Sequence, residues 1–342
     1  MLYLVHVGIY AVIMLKPRMK QTQGCFCLLF RNLNEFTKKH PMLEEPLFLD
    51  QLTTVPAKGV GLAVLGYPIK HSISPQLHGA ALDKLSQKEP KFRHWKYQKI
   101  EVLPDLLSEA LPRLADLGYR GLNLTIPHKV DVLPLIDSVD PQAKIMGAVN
   151  TLSWGNNGWK GYNTDGVGLS RAVSNAFGKD LKDFNVLVLG AGGASRAAVS
   201  QCLVEGCQNL AIYNRSTDRA NQLLEILKTN GFSQEIVILD HPVNPFENTN
   251  SEILIINATS LGLQVSDVSP IDLNVFPESV CVYDMVYNPP VTKLLKQAKE
   301  KHYSCSNGLG MLVGQAARSL EIWTGREISE NAMRQGAKLA LS

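Results

Sequence analysis

The chain predicts an α/β protein of two domains, and three observations carry that reading. Short apolar runs such as Gly61-Leu-Ala-Val-Leu-Gly66 and Asn185-Val-Leu-Val-Leu189 have the length and continuity of parallel strands buried on both faces. Such runs alternate with longer stretches of helical length, and strand, helix, strand, helix implies parallel pairing with right-handed crossovers. Finally, 342 residues at roughly 150 per domain make room for two cores.

Composition bounds the function. Apolar residues make up 45% and charged residues 19%, the values of an ordinary globular chain. A formal net charge of +3, with no long basic tract and no aromatic-basic interleaving, argues against a nucleic-acid partner and leaves anionic small molecules open. The six cysteines (Cys25, Cys27, Cys202, Cys207, Cys281 and Cys305) show neither a C-x-x-C pair nor metal-ligand spacing. Free thiols in a reducing cytoplasm are expected, with no metal. Met1 to Leu15 is almost wholly apolar, yet short of the roughly 20 residues needed to span a bilayer. Its basic residues, Lys16, Arg18 and Lys20, follow the run, whereas in a signal peptide they precede it. Residues 1–41 therefore read as a poorly ordered extension that carries no function.

The first domain is organised around Gly121-Leu-Asn-Leu-Thr-Ile-Pro-His-Lys129, a buried strand that delivers polar side chains to a rim. Pro127 ends the strand because it has no N–H for the ladder, leaving Lys129 just past the strand end. Ligands of open α/β sheets bind at the carboxyl ends of strands, where a lysine can serve as a proton donor. A solvated lysine opening a helix fits the same residues.

Upstream, the Gly61 to Gly66 strand runs into Tyr67-Pro-Ile-Lys-His-Ser-Ile-Ser-Pro-Gln-Leu-His78. Ser74 and Pro75 form an N-cap and first-turn pair, predicting a helix towards Leu85. The hydroxyls of Ser72 and Ser74 then face a carboxylate at a helix N-terminus, although capping alone also accounts for Ser74. A second strand is expected at Trp95 to Ile100, a helix at Leu103 to Leu117, and another at Val130 to Ile136. Gly147-Ala-Val-Asn-Thr-Leu152 reads as extended and Gly161-Tyr-Asn-Thr-Asp-Gly166 as a turn into a helix at Val167 to Phe177. Asn150 and Asp165 fall at element ends. An aspartate in such a turn is usually a cap, unless it meets Lys129.

The second domain opens with the glycine-rich turn after Leu189, the strand–turn–helix context of a dinucleotide fingerprint. Gly190 permits the tight turn, Gly192 lets the backbone approach a pyrophosphate, and Ser195 replaces the third glycine. The next strand, Asn209 to Tyr213, leads into Asn214-Arg-Ser-Thr-Asp-Arg219, where a ribose-binding acid would stand in an NAD site. Two arginines, Arg215 and Arg219, and two hydroxyls, Ser216 and Thr217, suit a 2′-phosphate, and Arg215 is expected to carry more of that contact than Arg219. Strands at Glu252 to Asn257 and Val280 to Asp284 end in Asn257-Ala-Thr-Ser-Leu-Gly262 and Asp284-Met-Val-Tyr-Asn-Pro-Pro-Val-Thr292, expected at the nicotinamide end. Asn307-Gly-Leu-Gly310 introduces a broadly apolar helix, Met311 to Trp323, predicted to pack back on the first domain. Within it, Gln315 is either a satisfied core amide or a substrate contact.

Taken in order, these segments resemble shikimate dehydrogenases from about Gly61 to the end of the chain. Pro68-Ile-x-His-Ser-x-Ser-Pro-x-x-His78, Asn123-x-Thr-x-Pro-x-Lys129, Gly147-Ala-Val-Asn-Thr151 and Asn163-Thr-Asp-Gly-x-Gly168 match the substrate motifs. The Gly190-Ala191-Gly192-Gly193-Ala194-x-Arg196 run, Asn214-Arg-Ser-x-x-Arg219, Asn257-Ala-Thr-Ser260, Asp284-x-x-Tyr-x-Pro289 and Met311-Leu-Val-x-Gln315 complete the set. Departures are Gly79 where asparagine is common and Ser216 where threonine is common.

The resemblance implies an N-terminal α/β substrate-binding domain (residues 42–164 with 306–342) and a Rossmann-type doubly wound NADP-binding domain (165–305). It implies reversible NADPH-dependent reduction of 3-dehydroshikimate by a monomer or homodimer, with Lys129 and Asp165 catalytic. Substrate would be bound by Ser72, Ser74, Thr125, Lys129, Asn150, Asp165, Tyr287 and Gln315. The cofactor would meet Gly190 to Ala194, Asn214, Arg215, Ser216, Arg219, Thr259, Met285 and Gly308. Two rivals are an NAD-dependent quinate/shikimate dehydrogenase, disfavoured by Arg215, and a non-catalytic metabolite-sensing relative, disfavoured by the presence of both Lys129 and Asp165.

Overall fold

The computed structural model describes residues 45–341 except 248, 250, 278 and 279. The expected extension at 1–41, with Cys25 and Cys27, lies outside the described residues. The strands are β1 (Val60–Gly66), β2 (Trp95–Glu101), β3 (Tyr119–Leu124), β4 (Ser138–Val139), β5 (Thr151–Gly155), β6 (Gly158–Tyr162), β7 (Asn185–Leu189), β8 (Asn209–Tyr213), β9 (Val237–Leu239), β10 (Ile253–Asn257), β11 (Val280–Asp284) and β12 (Ser304–Asn307). The helices are α1 (Ser74–Lys88), α2 (Leu107–Asp116), α3 (His128–Asp131), α4 (Pro141–Met146), α5 (Asp165–Phe177), α6 (Gly193–Glu205), α7 (Thr217–Thr229), α8 (Lys293–Glu300), α9 (Leu309–Thr324) and α10 (Glu330–Leu341).

The first sheet has the order β2-β1-β3-β5-β6-β4. β1 pairs in parallel with β2 and β3 as the alternation predicts, but β5 runs antiparallel to β3 and forms a hairpin with β6. The parallel pairing expected of the first three strands is found, and the antiparallel hairpin is an addition to it. The cause is local: Asn156 and Asn157 are the two-residue connection before Gly158, whose φ of +89° suits the tight turns that hairpins need. Trp154 and Trp159 face each other across the hairpin, edge to face at 5.1 Å.

Two helices also depart from expectation. The predicted helix at Val130 to Ile136 is instead the single turn of α3 followed by a 3-10 turn at Leu133–Leu135, because Pro134 removes a helical donor. The predicted helix from Leu103 begins as a 3-10 turn, Pro104–Leu106, before α2. Leu107, Ala110, Leu111 and Leu114 of α2 fall at helical spacing and are buried.

All pairings of the second sheet are parallel, in the order β12-β11-β10-β7-β8-β9, which is the doubly wound arrangement. β7 shows why it must be buried on both faces. Val186 and Val188 enter one core with α5, α6 and α7, while Leu187 and Leu189 enter another with α8. The short edge strands β9 and β12 were not apparent in the sequence.

After β12 the chain returns to the first sheet, as expected. Val313, Ala316, Ala317 and Leu320 of α9 and Met333 and Ala337 of α10 share a core with Leu62 and Val64 of β1 and Leu77 of α1. α9 also presses against α5. A Cβ added at Gly168 would lie 2.8 Å from both the Met311 carbonyl oxygen and the Gln315 nitrogen, so glycine is required there. Further along the same contact, Arg171 Nη1 and Nη2 donate to the two carboxylate oxygens of Glu321 at 3.1 and 3.0 Å.

Candidate active site

A cavity of about 430 Å³ opens where the ends of β1 and β3 face the turn after β11 and the start of α9. Ser72, Ser74, Thr125, Lys129, Asn150, Asp165, Tyr287 and Gln315, drawn from distant parts of the chain, all line it.

The pair that the sequence left conditional meets here. Lys129 Nζ donates to Asp165 Oδ2 at 2.6 Å, and Asn150 Nδ2 donates to Asp165 Oδ1 at 2.9 Å. Lys129 sits in the one-turn α3, and its carbonyl accepts from the Val149 N–H at 2.8 Å, fixing it beside Asn150. Asp165 is the first residue of α5, and its N–H donates to Asn163 Oδ1 at 3.0 Å. Both side chains of the ion pair keep some contact with the cavity, 31% of Lys129 and 15% of Asp165 being exposed.

Ser74 is not the cap that the sequence suggested. α1 starts at Ser74 itself, the cap position falls to Ile73, and no side chain caps the helix. Ser72 Oγ instead donates to Ser74 Oγ at 3.1 Å, so two hydroxyls converge at a helix N-terminus that attracts anions. Tyr287 adds a third hydroxyl, and burial raises its pKa, keeping it a neutral donor. Gln315 is half-buried; its Nε2 donates to the Leu312 carbonyl at 3.1 Å, and the side chain lines the cavity.

Ala194, Met285 and Gly308, assigned from sequence to the cofactor, reach the same cavity and bring the second domain to the substrate residues. Gly190 has φ +112°, the turn it was expected to make. Beyond it, Gly192 and Gly193 are exposed at the start of α6, with nothing within 4 Å of an added Cβ, which leaves a backbone cradle for a pyrophosphate. Ser195 Oγ, in the first turn of α6, is buried without a partner.

A second hollow, about 270 Å³, lies beside Ala191 and is lined by Arg196, Arg219 and Gln222. Arg215 and Ser216 are not among its lining residues, and Arg215 is exposed. Of the two arginines of that segment, Arg219 borders this hollow, and both are exposed. Asn214 Nδ2 donates to the Ser216 carbonyl at 2.7 Å and shapes the turn, while Thr259 Oγ1 donates to Asn257 Oδ1 at 2.7 Å and is tied into its own loop.

Models of three shikimate dehydrogenase domains match the chain: the substrate binding domain over residues 64–152, shikimate/quinate 5-dehydrogenase over 171–260, and the C-terminal domain over 308–336. The NADP(+) shikimate dehydrogenase of Citrifermentans bemidjiense is 36% identical over 84% of this chain and 98% of its own length. The chain belongs to the shikimate dehydrogenase family. A shikimate dehydrogenase solved in complex with NADP+ superposes with a TM-score of 0.74 at 31% identity, covering 85% of this chain and 98% of its own. The Thermus thermophilus enzyme in complex with NADP(H) and shikimate gives 0.71 at 33% identity, over 82% of this chain and all of its own.

Within this family member, sequence reasoning left two site residues unassigned. Asn123 lines the cavity, and the visible signal was an amide inside an otherwise apolar strand. Arg196 closes the Gly-Ala-Gly-Gly-Ala-x-Arg motif of the sequence, which gave its side chain no role of its own, and it lines the Arg219 hollow. Its Nη1 also donates to the Gly147 carbonyl at 3.3 Å, linking α6 to the end of α4. No helix among the described residues is long and apolar enough to cross a membrane.

Proposed function

We propose that this cavity carries out the reversible NADPH-dependent reduction of 3-dehydroshikimate to shikimate, a step towards chorismate and the aromatic amino acids, with Lys129 and Asp165 as its proton-transfer pair. The observation that carries the assignment is the 2.6 Å contact of Lys129 with Asp165 in one cavity with Ser72 and Ser74. The two serine hydroxyls and the Tyr287 hydroxyl bind the substrate carboxylate. Thr125, Asn150, Asp165 and Gln315 bind the ring hydroxyls, so an analogue lacking one of them leaves a polar group unpaired and is rejected.

The residues present fit NADP(H): the open Gly192–Gly193 cradle suits a pyrophosphate, and the hollow lined by Arg196 and Arg219 suits a 2′-phosphate. When bound, NADPH supplies the hydride for the ring carbonyl. Lys129 Nζ gives a proton to the carbonyl oxygen as it becomes a hydroxyl, and the neutral amine retrieves it in the reverse direction. Asp165 holds the ammonium in place and Asn150 holds Asp165.

The domain division is drawn at 42–164 with 306–342 for the substrate side and 165–305 for the cofactor side. A cytoplasmic location is supported by the free cysteines at 202, 207, 281 and 305 among the described residues, and the chain is read as a monomer or homodimer. Initial rates of NADPH formation from shikimate, with NADP and NAD side by side and quinate as a second substrate, test the assignment. Faster turnover of quinate with NAD would replace it by the quinate reading.

A further inference from the structure

Asn150 is held from behind by a cluster of hydroxyls that the proposed mechanism does not use. Thr151, Thr164 and Ser319 are all buried, Thr151 and Ser319 completely. Their oxygens form a triangle: Thr151 to Ser319 is 2.8 Å, and Thr164 lies 3.2 Å from each. Thr151 follows Asn150 on β5, Thr164 precedes Asp165, and Ser319 belongs to α9, which returns from the second sheet.

Counting hydrogens shows what Ser319 does. The Thr164 N–H donates to Asn150 Oδ1 at 2.8 Å, which fixes the amide flip and turns Nδ2 towards Asp165. The second Nδ2 hydrogen goes to Thr164 Oγ1 at 3.0 Å, and one lone pair remains on Asn150 Oδ1, for which two threonine hydroxyls compete, Thr151 at 3.0 Å and Thr164 at 3.2 Å. Ser319 spends its own hydrogen on the Gln315 carbonyl at 3.0 Å, one turn back along α9. Its oxygen is therefore free to accept. Whichever threonine does not bond Asn150 bonds Ser319, and both buried hydroxyls are satisfied together. Asn123 Nδ2, 2.9 Å from Ser319 and 3.0 Å from Thr151, closes the cluster, with its own oxygen receiving the Tyr97 hydroxyl at 2.7 Å.

We propose that Ser319 is a positioning residue for the proton-transfer pair: acting through Thr151 and Thr164, it locks the Asn150 amide whose N–H orients Asp165 against Lys129. The inference rests on the roles given above to Lys129 and Asp165. It also gives α9 a second task, because the helix that brings Gln315 to the substrate fixes, one turn later, the support of the catalytic carboxylate. A mis-set Asn150 loosens Asp165 without removing any group that touches substrate, so turnover falls while substrate affinity holds.

The test uses Ser319→Ala and Ser319→Cys in the full chain. The alanine removes the acceptor, and the cysteine keeps the volume but accepts hydrogen bonds weakly. Loss of one buried hydrogen bond predicts a kcat lowered about three- to tenfold in both variants, with KM for shikimate within about twofold. The solvent isotope effect on kcat should rise as proton transfer becomes slower. Independently of turnover, the Asn150 side-chain amide, followed by NMR, should exchange with solvent faster in both variants than in the wild type. Unchanged amide exchange overturns the proposal, as does altered exchange with unaltered kcat. If Ser319→Ala fails to fold, the same readings on Ser319→Cys decide. A wild-type chain inactive on shikimate would instead break the functional reading, while the amide exchange still reports whether Ser319 holds Asn150.

Discussion

Lys129 Nζ and Asp165 Oδ2 meet at 2.6 Å although 36 residues and a β-hairpin separate them. Neither lies in a strand: one is in a single helical turn closed by a 3-10 turn, and the other begins a 13-residue helix. The hairpin brings the ends together, and Asn150 clamps the carboxylate from the other side. Proton transfer by a positioned group contributes about 10²- to 10⁴-fold in rate, so Lys129→Ala should lower kcat by that factor with a much smaller change in KM for shikimate. Asp165→Asn should behave similarly. Steady-state kinetics that retained more than about a tenth of the turnover in Lys129→Ala would demote the lysine to a binding residue.

Cofactor preference should follow the Arg219 hollow. A 2′-phosphate between Arg196 and Arg219 gains charge-assisted hydrogen bonds, each contributing roughly 1.5 to 3 kcal/mol, so Arg219→Ala should raise KM for NADP about tenfold or more. Arg196→Ala should act in the same direction, whereas Arg215→Ala should have the smallest effect of the three. None should alter KM for NAD, which has no phosphate there. Because Arg219 is exposed, the loss should shrink in high salt. Paired KM measurements for both cofactors across the three variants rank the arginines; an Arg215 effect larger than that of Arg219 would restore the order expected from sequence.

Acid stability offers a separate check on the first domain. His78 is fully buried, stacks on Tyr97 with ring centres 3.9 Å apart, and has no hydrogen-bond partner on either nitrogen. Burial lowers its pKa from 6.5 to about 3. The native imidazole is therefore neutral while the unfolded one gains a proton below pH 6.5, so its contribution is complete above pH 6.5 and is lost as pH falls towards 3. The slope is about 1.4 kcal/mol per pH unit, or about 2 kcal/mol between pH 6.5 and 5. His78→Phe keeps a ring against Tyr97 and removes this proton, so its unfolding free energy should decline less over that interval than that of wild type. Urea titrations at the two pH values give the comparison, and parallel declines would show that His78 is not held neutral.

Legibility in the sequence followed the range of the forces involved. β1, β7 and the turn at Gly190 were plain because continuous burial and a backbone with positive φ leave local marks. Lys129 and Asp165 were found as residues at element ends, but only folding could bring them together. The antiparallel turn of the first sheet went unread although Asn157-Gly158 is a hairpin signal, since the flanking segments had been read as an isolated extended piece and a turn. Ser74 illustrates a different difficulty. Serine before proline suits a cap equally well, and only the position of the first helical residue distinguishes the roles. Arg196, Ser319 and the short edges β9 and β12 depend on tertiary neighbours and leave no periodic trace.

The last prediction concerns the contact that sets the site's width. α5 begins with Asp165 and α9 carries Gln315 and Ser319, so the distance between these helices sets where the Asp165 carboxylate lies relative to Gln315 and the Ser319 cluster. Gly168 allows that distance, and a methyl group there would fall 2.8 Å from backbone atoms of Met311 and Gln315, which cannot swing aside as a side-chain tip would. Gly314 faces it, its own added Cβ lying 3.1 Å from the Gly168 Cα. Gly168→Ala must therefore push the helices apart, and overpacking of this kind costs typically about 1 to 3 kcal/mol. Alanine's better helix propensity returns at most about 1 kcal/mol. The variant should lose stability in chemical denaturation and, below its melting temperature, turn over more slowly because Gln315 and Ser319 move with α9. Gly178→Ala, at the left-handed C-cap of the same α5 with open space around it, is the control: it strains the backbone without touching α9. It should lose stability while keeping the kcat of the wild type. Equal losses of turnover in both variants would mean that α5 stability alone, and not the α5–α9 spacing, governs the site.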